Sequence, residues 1–238
     1  MASIKNLVLL KKNWPALIYN LFEKYYSRTL PAMVRQSADT QIRDTNFNIA
    51  SKAGKTLHSR LLSVIPFPKN RLIQSKFSTT IAKWLQLQSI QDIHPQDNIP
   101  YICNFQFNSN TSIEESFRTG IMITKRDNHF FEIAIPSFIP VDCISAPDKT
   151  ISVEFKITIA GCFLESGTPA GNHTASFIVP WNDKEVPGRI IALPFKKLPG
   201  NLILIAAALT FNLFTDGKVV KCAEPLFMPC TIIKATYC

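Results

Sequence analysis

The stretch Asn201-Leu-Ile-Leu-Ile-Ala-Ala-Ala-Leu-Thr-Phe-Asn-Leu-Phe-Thr-Asp-Gly-Lys218 decides the fold. Its first part, 202–209, is uninterrupted apolar sequence that continues through Thr210 and Phe211. That run is far short of the roughly 20 apolar residues a membrane-spanning helix needs, and it reads as a buried sheet strand. The stretch closes on Thr215-Asp216-Gly217-Lys218, the clearest hairpin signal in the chain, because Gly217 supplies the positive φ of a primed turn. A strand over 201–214 followed by one over 218–221 is the expectation.

Outward from this hairpin, short strands are expected at 101–107, 120–125, 129–135, 150–163, 174–179, 189–195 and 231–237. Turn signals separate them at Asp127-Asn128, Pro147-Asp148, Thr168-Pro-Ala-Gly171 and Pro199-Gly200. About nine strands with no helices between them predict an antiparallel sandwich.

Before residue 90 the apolar spacing becomes helical. A first helix is expected over 14–28, with Leu17, Ile18, Leu21, Tyr25 and Tyr26 near i, i+3, i+4 spacing, Pro15 in the first turn and Pro31 closing it. Residues 32–46 read as irregular, with Asp44 or Thr45 as the cap of the next helix. From 47 to 64 the positions Phe47, Ala50, Gly54, Leu57, Leu61 and Val64 fall on one helical stripe. Pro66 and Pro68 break that helix, and a further one runs over 70–88 with Ile73, Phe77, Ile81, Trp84 and Leu85 as its apolar side. The predicted class is α+β: a basic helical N-terminal region over 1–90 with a helical hairpin at 47–88, a linker over 91–99, and an antiparallel, mostly-β sandwich over 100–238. A fragment of residues 96–238 is expected to fold alone.

Charge divides at the same place. Residues 1–90 hold 14 Lys and Arg against 3 Asp and Glu, a formal +11, whereas 91–238 hold 12 against 14, a formal −2. Arg28, Arg35, Arg43, Lys52, Lys55, Arg60, Lys69, Arg71, Lys76 and Lys83 would create a positive field attractive to phosphates, acidic proteins or an anionic membrane surface. Lys69, Lys76 and Lys83 recur every seven residues and line up beside the apolar stripe. Asn70, Arg71 and Gln74 are the base-reading types nearest the start of the second helix of the hairpin, too few for a helix-turn-helix signature.

Six dispersed cysteines, Cys103, Cys143, Cys162, Cys222, Cys230 and Cys238, form no Cys-x-x-Cys pair and read as mostly reduced, small apolar residues. The apolar run at 7–10 is followed at once by Lys11 and Lys12, which is no secretory signal. A cytoplasmic location, no transmembrane segment and no cofactor or metal are therefore expected.

Phe47-Asn-Ile-Ala-Ser-Lys-Ala-Gly-Lys-Thr-Leu57, the segment from Leu72 to Trp84-Leu85, and Pro199-Gly-Asn-Leu-Ile-Leu-Ile-Ala-Ala-Ala-Leu209 together resemble a family of uncharacterised bacterial proteins. That family pairs a basic helical N-terminal part with a β-sandwich-like C-terminal part. The resemblance spans most of the chain and implies architecture; with no activity assigned to the family, it carries over no functional residue.

Catalytic constellations are sparse. His58 sits in a basic helix, His94 in a proline-rich linker, and His129 and His173 beside turns, all read as surface positions, with no nucleophile elbow around any Ser or Cys. Glu114-Glu115 and Asp183 with Glu185 are the nearest carboxylate pairs, and both lie among turn formers. Glycines cluster in the β region and open no helix as a phosphate loop would. Phe105 and Phe107 alternate on one face of an expected strand and read as sandwich core; Tyr25-Tyr26 beside Lys24 and Arg28 is the better candidate for a single-strand stacking platform. The leading expectation is a non-enzymatic binding or structural protein whose basic helices contact a protein partner or a second copy in a homo-oligomer. Its candidate contacts are Lys52, Lys55, Arg60, Lys69, Arg71, Lys76 and Lys83. The alternatives are sequence-tolerant nucleic-acid binding through the helical hairpin and, more remotely, a hydrolase built on loops around His129 or His173.

Overall fold

The computed structural model describes residues 16–21, 24–29, 37–67, 70–88, 93–125 and 130–238. They fall into two units, 1–41 and 42–238. In the first, β1 (Ala16–Leu21) pairs antiparallel with β2 (Lys24–Thr29), Leu21 lying opposite Lys24. This hairpin stands where a helix is expected over 14–28. Ile18, Tyr19, Tyr25 and Tyr26 are β-branched or aromatic, types that suit strands, and so short an apolar cluster does not distinguish the two periods.

The helical hairpin is present. The first helix, α1 (Ala38–Leu61), begins earlier than the apolar stripe indicates, because Ser37 opens it: its Oγ accepts the Thr40 N–H at 3.3 Å. Asp44 and Thr45, the caps expected from sequence, lie inside the helix on exposed positions. The second, α2 (Arg71–Leu87), is capped by Asn70, whose Oδ1 accepts the Leu72 N–H at 2.8 Å. The helices cross closely at Gly54, where a Cβ would collide with Ser78 Oγ and lie 3.1 Å from Ser78 Cα. Asn46 ties the far ends together by donating from Nδ2 to Leu85 O at 3.4 Å.

Among the described residues two antiparallel sheets follow. The larger is a curled half-barrel in the order β10 (Cys230–Tyr237), β8 (Asn201–Thr215), β5 (Thr150–Phe163), β6 (Pro169–Pro180). The short β9 (Lys218–Lys221) also pairs with β8, through the Asp216-Gly217 turn read from sequence. The smaller sheet has the order β3 (Met122–Lys125), β4 (Phe130–Ile135), β7 (Arg189–Pro194). Two single-turn helices, α3 (Ile113–Ser116) and α4 (Pro140–Cys143), intervene. Glu115 belongs to α3 as the partner of Ser112 in a capping box, which gives one carboxylate of the Glu114-Glu115 pair a structural task.

The central stretch of β8 is apolar throughout because both of its faces are buried. Leu202, Leu204, Ala206 and Ala208 join a core with Leu57, Leu61, Phe77, Ile81, Trp84 and Leu85 of the helices. Ile203, Ile205, Ala207, Leu209 and Phe211 join a second core with Phe131, Ile133 and Leu193 of the smaller sheet. The second unit is thus layered helix, sheet, sheet, with β8 in the middle. Phe117, Phe138 and Phe155 fill the inter-sheet core as a triad with centroids 5.0–5.8 Å apart, and Phe177 stacks on Phe155 at 4.9 Å. In β10 a register shift between Ile232 and Lys234 lets both Ile232 and Ala235 face the helices.

Residues 101–107, expected as a strand, form turns instead. Asn104 takes a positive φ of 65°, which interrupts extended backbone. The segment from Gln96 to Phe107 nevertheless lies along β10, with Gln96 and Tyr237 exchanging hydrogen bonds of 2.9 and 2.8 Å. Ile99 N–H donates to Ala235 O and Phe107 N–H to Cys230 O, so the edge of β10 is covered. Phe105 and Phe107 are core residues as read, but of the helix-side core: Phe77 lies 5.1 Å from Phe105 and 5.7 Å from Phe107.

Candidate basic grooves on the helical layer

The exposed side of α1 carries Lys52, Lys55, Ser59 and Arg60, one side of an amphipathic helix whose other side holds Ala50, Ala53, Leu57 and Leu61. The turn between β5 and β6 docks beside these cations. Thr56 Oγ1 donates to Gly167 O at 2.7 Å, and Gly167, at φ +68°, leaves room for the helix: a Cβ there would lie 2.8 Å from Lys52 Cβ. Behind it, Ser63 Oγ lies 3.2 Å from both Thr158 Oγ1 and Thr174 Oγ1, which are 2.8 Å from each other. The result is a groove of about 590 Å³ whose lining includes Lys52, Lys55, Arg60, Ser166 and Asn172.

Lys55 also belongs to a second groove. That one lies between α1 and α2, has a volume of about 570 Å³, and is lined by Phe47, Ser51, Lys55, Arg71, Gln74, Ser75 and Ser78. Among the described residues, neither lining contains an Asp or Glu side chain. Hydroxyls, amides and cations meet there, an arrangement that attracts anions.

The candidate cations therefore divide. Lys52, Lys55, Arg60 and Arg71 converge on these two adjoining grooves. Lys76 lines a third, more apolar groove of about 620 Å³ with Phe67, Leu72, Ile73 and Met228 among its neighbours. Lys83, exposed on α2, stands about 18 Å along the axis from Arg71 by helical rise, apart from the others. Lys69 lies outside the described residues, as do Arg35 and His129; Arg43 is exposed on α1.

The remaining chemistry-bearing residues are placed as follows. His58, read as a surface position, is buried at 2 % exposure and lies 6.1 Å from the Phe107 ring, because it falls on the side of α1 that faces the core. His94 is exposed, and the side chain of His173 on β6 is exposed and makes no hydrogen bond or ion pair with a described residue. Asp183 and Glu185 are exposed in the turn after β6. Burial among apolar neighbours pushes the Cys162 thiol from 9.0 up to about 12 and raises Cys230 further, so both stay protonated. Among the described residues no group of three His, Cys, Asp or Glu side chains converges as metal ligands would, and no helix is long and apolar enough to cross a membrane.

Sequence reasoning placed the cations on the helices but missed their companions. Phe47, counted among the core stripe, is 55 % exposed and lines the groove between the helices. Ser166 from the β5–β6 turn and Asn172 from the start of β6 reach the other groove from more than a hundred residues away, a meeting for which the sequence carried no signal. No family model matches the chain, and no curated protein matches it.

Proposed function

We propose that this protein is a non-enzymatic binding protein whose basic helical layer contacts a partner that presents negative charge. The observation that carries the reading is the convergence of Lys52, Lys55, Arg60 and Arg71 on two adjoining grooves whose linings contain no carboxylate among the described residues. Cations so grouped repel one another, and an anionic partner relieves that repulsion while releasing its own counterions. The helices are held in place by the shared core with the larger sheet, so the grooves are preformed.

Light scattering of the full chain, with and without mixed DNA and RNA at low and physiological salt, tests this. A mass increase that depends on added polyanion and fades with salt supports it. A defined homo-oligomer indifferent to every polyanion would overturn it in favour of assembly through the same helices.

A further inference from the structure

We infer that the groove between α1 and α2 binds single-stranded nucleic acid, with Phe47 at one end as a stacking platform for a base and Lys55 and Arg71 as contacts to phosphates further along the strand. The inference rests on the anion-binding reading and names the partner class.

Phe47 is the decisive residue. A single exposed apolar side chain needs no explanation, but this one has a setting that does. It is 55 % exposed, and it lines a concave groove of about 570 Å³ together with Lys55, Arg71 and Gln74. Its neighbour Asn46 and the next apolar position of its stripe, Ala50, are both buried, so Phe47 stands at the margin of the core-facing side of α1. An exposed aromatic in one groove with cations is an arrangement by which proteins hold single strands: every base offers a π-face, and phosphates along the strand meet positive charge, here beginning at Lys55, about 12 Å along α1 from Phe47. Gln74 adds a side-chain amide, a donor and an acceptor for a base edge, without the array of base-reading residues that would impose sequence.

Two features extend the site beyond one base. Arg71 is the first residue of α2, so a phosphate beside it also meets the positive end of a 17-residue helix. On the other side Lys55 opens into the adjoining groove with Lys52 and Arg60, which spans about 12 Å of α1 by helical rise. A flexible strand can follow this track with successive phosphates. A duplex holds its bases stacked inside, presents phosphates only, and leaves Phe47 unused; an acidic peptide would engage the cations without calling on the ring.

Fluorescence anisotropy of the full chain with a labelled mixed-sequence oligonucleotide tests the inference, using the oligomer as DNA, as RNA and as the DNA duplex, with inorganic polyphosphate and polyglutamate as competitors. Single strands of either sugar should bind more tightly than duplex. Phe47→Ala, at an exposed position, should weaken single-strand binding about tenfold while leaving duplex and polyphosphate unchanged. Lys55→Glu with Arg71→Glu should abolish binding to every polyanion, whereas Lys218→Glu on β9 should not, with circular dichroism confirming that each variant is folded. Unchanged single-strand affinity in Phe47→Ala, or duplex bound as tightly as single strand, overturns the inference and leaves the anion-binding reading intact. If no polyanion binds at all, both fall.

Discussion

Replacing Gly167 by alanine should destabilise the fold by about 2–5 kcal/mol, and the size follows from two separable causes. Gly167 sits at φ +68°, where an L-side chain costs about 1–2 kcal/mol. The new Cβ would also lie 2.8 Å from Lys52 Cβ and 3.1 Å from the Lys52 carbonyl carbon, atoms of a helix that cannot swing aside. Overpacking of that kind adds about 1–3 kcal/mol. Gly217→Ala isolates the first cause, since Gly217 has φ +74° and, among the described residues, no atom within 4 Å of the place a methyl would take, so it should cost only about 1–2 kcal/mol. Urea unfolding of both variants gives the comparison, read as a shift in midpoint at constant m-value. Equal losses in the two variants would refute the docking of the β5–β6 turn on α1, and with it the construction of the Lys52–Arg60 groove.

Three further outcomes follow from the layered core. Residues 96–238 without α1 and α2 should lose cooperative folding and bind hydrophobic dyes, because Leu202, Leu204 and Ile232 would face water; a single strand-rich transition as stable as that of the full chain would sink this. Leu57→Ala should cost about 2–5 kcal/mol and lower helical and strand signals in one transition, whereas separate transitions would show that the layers do not share a core. Because the folded Cys162 thiol is raised from 9.0 to about 12, its contribution is fully present below pH 9 and is lost as pH climbs toward 12. There the unfolded chain releases the proton first, so stability should fall by up to about 1.4 kcal/mol per pH unit, and Cys162→Ala should flatten that slope in alkaline urea titrations.

Much of the fold was legible in short-range pattern. The strands over 150–163 and 218–221 and the helix after Asn70 sit where periodicity and caps place them. The hairpin at 16–29 was misread because its apolar cluster is too short to fix a period; the misreadings of burial share another cause, that local pattern is silent about what lies on the other side. Phe105 and Phe107 are core residues in a turn, not a strand, because hydrogen bonds to β10 satisfy that backbone without a regular ladder. His58 is buried because its side of α1 faces Phe107, and Phe47 is exposed although it continues an apolar stripe. The cations of the candidate site were legible as charge on helices; Ser166, Gly167 and Asn172 were not, since only folding carries the β5–β6 turn and the start of β6 to α1.

By itself the sequence determined the class of most segments, the basic character of the helices and the burial of 202–209, because dihedral preference, apolar period and net charge are properties of neighbours along the chain. The tertiary structure alone decided that β8 is covered by helices on one face and by a second sheet on the other, and that Lys52, Lys55, Arg60 and Arg71 meet around shared grooves. Those outcomes depend on which apolar faces exclude water together, and that choice is made between segments far apart in the chain.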